Sequence, residues 1–207
     1  MEFGIPNDVA QPIFFTLVGA VALLLVWFVF IRKDRTFEKV YEAFAQRSGL
    51  VFTPPVSVGW HTIGMERHLL SGAIQGVPIQ VAGDYLRNAR AAGVQGKTSF
   101  ACKTHASVQP FRVRISRRGR AQGGIPTGDA RFDAFFLVES DAPEGAQRLL
   151  DPNVRACFAL MPSSWPECLV HVAPGEVSFA FPDFAFQEAE LDFGTRLVLA
   201  AAYVRFA

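Results

Sequence analysis

Two cysteine–histidine pairs have the spacing of metal ligands, Cys102-Lys-Thr-His105 and, at the same separation, Cys168 and His171. Four such side chains suit a tetrahedral zinc site. Both pairs lie in stretches that alternate like β-strands, where residues three apart point to opposite faces. Neither pair then closes on one ion without a turn, so the sequence predicts no metal and no cofactor. His61 and His68 read as surface or loop histidines. Cys102, Cys157 and Cys168 are odd in number and contain no C-x-x-C pair, which argues against a disulfide framework and fits a reducing compartment. Each reads as a small buried hydrophobe.

Nucleophilic catalysis needs a Ser or Cys, a His and an orienting acid in one place, and no G-x-S-x-G elbow marks such a site. Gly72-Ala-Ile-Gln-Gly76 and the run from Gly119 to Gly128 lack P-loop spacing and its Lys-Ser/Thr ending. Asp129 and Asp133 lie four apart, in a region that reads as a turn followed by a strand. They need not share a face, and paired-carboxylate chemistry has no specific support. The expectation is a protein that is not an enzyme. A rival expectation is an enzyme or small-ligand sensor that uses Asp129, His105 or the arginines on an anionic ligand. A pocket holding two or more of those side chains would favour the rival.

The net charge of +1 conceals an uneven distribution. Residues 86–120 hold nine basic and no acidic side chains, whereas 121–207 hold five basic and twelve acidic ones. Within the basic part, Arg112 and Arg114 share one face of a predicted strand, and Arg117, Arg118 and Arg120 extend the row into a glycine-rich loop. Four readings stand: a solvated edge strand guarded by charge, attraction to anionic headgroups, docking on an acidic partner surface and nucleic acid. The last ranks lowest, since no binding fold or aromatic interleaving accompanies the arginines.

The elements that would carry these residues start with an apolar run. The 23 residues from Val9 to Ile31, VAQPIFFTLVGAVALLLVWFVFI, hold no charged side chain. From Pro12 a helix would rise about 30 Å, the thickness of a bilayer core, and Trp27 would lie near an interface. The sequence therefore predicts a transmembrane helix, with Gly19, Ala20 and Ala22 as a small-residue packing face for a second span. Glu2 and Asp8 precede it and Arg32, Lys33 and Arg35 follow. By the positive-inside rule the N-terminus lies outside and the domain in the cytoplasm.

The expected organisation is a short N-terminus at 1–8, the span at 9–31, a basic flank and juxtamembrane helix at 32–53, and an α+β domain at 54–207. In the flank, Thr36 starts a helix with Phe37, Val40, Tyr41 and Phe44 at helical spacing, ended by Gly49. His68–Tyr85 reads as a hairpin about Gly76, and Thr98–Val108 and Phe111–Ser116 as strands. Phe132–Val138 reads as a strand, with Asp141 capping the helix that follows and Asp151-Pro152 opening another. Cys168–Ala173 and Glu176–Phe181 flank a turn at Pro174-Gly175, and a helix from Glu188 to Phe206 closes the chain. The fold class is α+β, one N-terminal transmembrane helix followed by a single antiparallel-sheet domain with flanking helices.

Thr127–Pro152, TGDARFDAFFLVESDAPEGAQRLLDP, carries a sharper pattern. Thr127, Gly128, Asp129, Phe132, Asp133, Phe136 and Val138 match TGD-x-x-F-D-x-x-F-x-V, and Leu149, Leu150 and Pro152 match a helix ending L-L-x-P. Asp151 departs from the more usual polar residue before the proline. This resembles bacterial membrane-anchored proteins of the domain-of-unknown-function type, over about residues 60–185. The resemblance implies an α+β domain facing the cytoplasm on an anchor, and it carries no activity across. Together these readings lead to an accessory or scaffold subunit that docks or stabilises partners in a larger inner-membrane assembly, of the kind respiratory and photosynthetic complexes contain. Its expected partners are the bilayer and other membrane subunits, with anionic headgroups possible and nucleic acid disfavoured. A peripheral module binding anionic lipid is a further alternative.

Overall fold

The computed structural model describes residues 7–55, 65–86, 96–104, 108–119, 123–185 and 187–204, with the side chains of 7–15, 26–37, 65, 66 and 86 outside the description. Two compact units result, residues 1–39 and 40–207.

In the first unit the apolar run is helical, but it is one part of a helix α1 that continues from Asn7 to Ser48. Among the described residues no helix is long and apolar enough to cross a membrane. The expected transmembrane helix at Val9–Ile31 is corrected accordingly. Residues 16–25 of this helix are exposed throughout. With the span go the single-pass topology, the outside N-terminus and the inner-membrane placement, all of which rested on it. A side chain at Gly19 would meet nothing within 4 Å, and Ala20 and Ala22 are likewise exposed.

In the second unit, α1 ends where Gly49 takes φ +73°, a left-handed position suited to glycine. Tyr41 and Phe44 from this last part of α1 are buried in the core. Next come β1 (Val51–Thr53), β2 (Met65–Ile74), β3 (Val77–Leu86), β4 (Lys97–Lys103), β5 (Phe111–Arg117), α2 (Ala130–Phe135), β6 (Phe136–Ser140), α3 (Pro143–Leu149), α4 (Pro152–Phe158), β7 (Glu167–Ala173), β8 (Glu176–Phe181) and α5 (Glu188–Ala202). Among the described residues the eight strands form one antiparallel sheet in the order β1-β2-β3-β4-β8-β7-β5-β6. The β2–β3 hairpin turns at Gln75 and Gly76, both at positive φ, the backbone a two-residue turn needs to match strand twist.

The expected strand over Phe132–Val138 is corrected in its first half. Asp129 accepts hydrogen bonds from the backbone N–H of Arg131 and Phe132 and starts α2, so strand geometry begins only at Phe136. Asp141 does not cap α3. Its carboxylate accepts the Arg112 N–H, and Ala142 is the cap residue without a side-chain bond. Asp151 does cap α4, accepting the Val154 N–H.

Strand alternation divides the sheet into two faces. On one, Leu70, Val81, Phe100, Phe179, Val170 and Val113 are buried, and α5 packs there across β3, β4 and β8 while α3 covers β5 and β6. The aromatic centre of this core stacks Trp165 on Phe181 at 4.2 Å between centroids, with Phe100 and Phe193 against them. α5 reaches the sheet closely because it has no side chain at Gly194, where a methyl would lie 2.2 Å from the Phe100 ring. No helix among the described residues of this unit packs on the other face. Its residues are exposed or half-buried.

Candidate functional site

The open face is built from the alternate positions of the strands. Register sets Arg112 opposite His171, His171 opposite Ser178, and Ser178 opposite Ala101. The next row runs Glu139, Arg114, Leu169, Ala180, Ser99 and Ala82. Small residues on β3, β4 and β8 thus make a low floor, and the longer side chains of β5 and β7 make a wall. A groove of about 710 Å³ lies along it, lined by Lys97, Arg112, Arg114, Leu169, His171 and Ser178 among others. Leu169 is half exposed at 50 %, an apolar side chain in an otherwise polar row.

Charge pairing on this face is uneven. Arg114 Nε donates to Glu167 at 2.8 Å and its guanidinium lies 3.9 Å from Glu139. Arg67 pairs with Asp84 at 2.6 Å, Lys103 with Glu176 at 2.8 Å, and Asp141 holds the Arg112 N–H at 2.8 Å. Every described carboxylate of the face is therefore engaged. The Lys97 ammonium and the Arg112 guanidinium have no partner among the described residues. These pairs are exposed, so each contributes little to stability. The charges of the face balance, five basic side chains against five carboxylates, but Arg114 takes two of the carboxylates and Asp141 a backbone N–H, which leaves Lys97 and Arg112 as the cations without an ion pair.

The five arginines read from the sequence separate. Arg112 and Arg114 share the open face as expected, but β5 lies between β7 and β6 and is not an edge strand. Arg117 points the other way, where its Nη2 donates to the Met161 carbonyl at 2.7 Å. Arg118 donates to the carbonyls of Phe136 and Gly123. Arg120 lies outside the described residues, as do His105 and His61.

Cys168 is buried on the helix-covered face and His171 is exposed on the open one, so that pair does not close on a single ion. Burial pushes all three thiols up, Cys102 to about 12, with Glu176 adding to the effect and a backbone hydrogen bond opposing it. At neutral pH they are thiols, poor as nucleophiles or ligands. His68, expected at the surface, is instead buried among the rings of Tyr41, Phe52 and Phe184. His171 and Ser178 are cross-strand neighbours, yet no hydrogen bond joins them.

A second concavity lies on the helical side, at the TGD-x-x-F-D segment. Thr127 donates from its backbone N–H and hydroxyl to Asp133, while Asp129 caps α2 and lies 3.4 Å from Arg155 Nε. Arg155 Nη1 also donates to the Thr127 carbonyl at 3.1 Å. These bonds tie α2 to α4 and leave a pocket of about 510 Å³ between them, lined by Arg117, Asp129, Arg131, Phe135 and Arg155 among others. Asp129 and Arg117, both named from the sequence, do share this pocket, which is the arrangement expected to favour an enzyme or small-ligand sensor. Arg131, Phe135 and Arg155 were not foreseen, because Phe135 was expected in a strand at Phe132–Val138 and no helix was expected at Arg131, and Arg155 comes from the separate helix α4.

The architecture defines the protein as an α+β domain with one antiparallel sheet covered by helices on a single face. A solved structure similar to it is the crystal structure of the mycobacterial trehalose monomycolate transport factor A, at 15 % sequence identity and a TM-score of 0.51, covering 80 % of this chain and 92 % of that one. At that identity the likeness shows the fold alone. No family model and no curated protein matches the chain.

Proposed function

We propose that the protein is a non-enzymatic accessory subunit whose open sheet face docks an acidic segment of a partner protein within a larger assembly. The observation that supports this is the pairing on that face, where each described carboxylate is satisfied internally while Lys97 and Arg112 are left without partners. An acidic segment supplies the missing carboxylates, and half-exposed Leu169 beside them supplies an apolar contact for its body. Complementary charge of this kind fixes register and speeds encounter.

The test is a tagged full-length chain expressed in its native cells and purified at low and high salt. We expect a defined partner with the unaltered chain, recovered less at high salt because exposed charges are screened. The double variant Lys97→Glu with Arg112→Glu should lose that partner while keeping its thermal midpoint. Arg131→Glu, on the other side of the sheet, should retain it. Equal recovery by the double variant would overturn the reading.

A further inference from the structure

The pocket between α2 and α4 has a composition distinct from the open face. Its floor is the cluster of Phe132, Phe136 and Phe158, with centroids 4.8 to 6.1 Å apart. Pro152, Ala156 and Ala159 line it from the α4 side, and Phe135 stands at the surface, 69 % exposed, although it belongs to the same helical turn as buried Phe132. Leaving an aromatic ring of that size in water forgoes the favourable burial of its apolar surface. A ligand covering it would recover part of that.

The charges of this pocket are three guanidinium groups against one carboxylate, Arg117, Arg131 and Arg155 against Asp129. The carboxylate is committed, with Oδ1 accepting two backbone N–H groups and Oδ2 lying beside Arg155. The guanidinium groups are less fully used. Arg131 has no hydrogen bond or ion pair from its side chain among the described residues. Arg155 Nε is buried and makes no hydrogen bond, since its approach to Asp129 lacks the geometry for one. The ion pair with Asp129 meets part of the charge on Arg155, and an anionic group would supply the charged hydrogen bonds that Arg131 and Arg155 Nε do not make.

We infer that this pocket binds an amphiphile with one anionic head, its apolar body on Phe132, Phe135 and Phe136 and its head on Arg131 and Arg155. The volume of about 510 Å³ lies within the range of small-ligand sites. A polyphosphate would leave the phenylalanine floor unfilled, and a neutral lipid would leave the guanidinium donors unpaired. The inference is independent of the docking face, which lies on the opposite side of the sheet.

Calorimetric titration of the full-length chain with dodecanoate, kept below its critical micelle concentration, tests it. We expect saturable binding of one molecule per chain, weakened about tenfold or more when dodecan-1-ol replaces the carboxylate, because a charged hydrogen bond is lost. Arg131→Glu should weaken dodecanoate by at least about the same factor, and Phe135→Ser should weaken both ligands. Both side chains are exposed, so these variants should fold. Arg155 also holds the Thr127 carbonyl and is left intact. The double variant of Lys97 and Arg112 should bind dodecanoate normally, which separates failure here from failure of the docking reading. Absence of saturable binding, equal binding of the alcohol, or an unaffected Arg131→Glu variant would overturn the inference.

Discussion

Asp129 shows how one side chain serves two ends, capping α2 while meeting Arg155 across the pocket. Replacing it with Ala should cost about 1–2 kcal/mol, the usual loss of an N-cap, in a urea melt. Asp133→Ala should also destabilise the chain, through loss of the bonds that hold Thr127. The buried acids of the core set a pH limit. Burial raises the Cys102 thiol from the usual 9 to about 12 and raises Cys168 and Tyr41 as well. Their contribution to stability is complete below pH 9. Above it the unfolded thiols lose protons that the folded ones keep, so stability falls as pH rises through the interval up to 12. Each thiol contributes a slope of about 1.4 kcal/mol per pH unit. Urea melts across that interval should show the decline, and Cys102→Ala should make it shallower. The buried character of Cys102 and Cys168 was legible from their type and spacing, whereas Cys157 is only half-buried and the pocket arginines were not legible. Arg131 and Arg155 are 24 positions apart, and only the packing of α2 against α4 joins them.

The hairpins were the most readable elements, because turn chemistry and alternation agree on them. Val77–Leu86 pairs with Met65–Ile74 about Gln75-Gly76, and Glu167–Ala173 with Glu176–Phe181 about Pro174-Gly175. The short helix α2 was less readable. Its six residues, ARFDAF, have the apolar content of a strand, and the Asp129 cap decides the matter only through backbone bonds. α5 illustrates packing that propensity alone misstates. Gly194→Ala would ordinarily favour a helix by about 1 kcal/mol, but here the new methyl meets the fully buried Phe100 ring. Overpacking of this kind costs about 1–3 kcal/mol, so thermal unfolding of the variant should occur at a lower temperature. Gln75 offers the opposite case. It occupies φ +53°, and Asn tolerates that region better, so Gln75→Asn should raise the midpoint slightly.

For the whole molecule, the governing feature is the asymmetry of the sheet. Alternation read from the sequence places Arg112 and Arg114 together, yet it cannot tell which face the helices cover or that β5 lies inside the sheet. Those depend on strand order. The apolar run at Val9–Ile31 misled as well, since an uncharged composition was taken as a span where, among the described residues, no helix is long and apolar enough to cross a membrane. The account rests on the open face being an interface, with Lys97 and Arg112 as its cations without an ion pair. The most direct measurement is site-specific photo-crosslinking in native cells, with a photoreactive residue at His171 in the groove or at Tyr203, which is exposed after α5. The account predicts one protein adduct from position 171, mapping to an acidic segment, absent from position 203 and lost when Lys97→Glu and Arg112→Glu are introduced. Adducts of equal yield from both positions, or an adduct at 171 indifferent to those reversals, would contradict it.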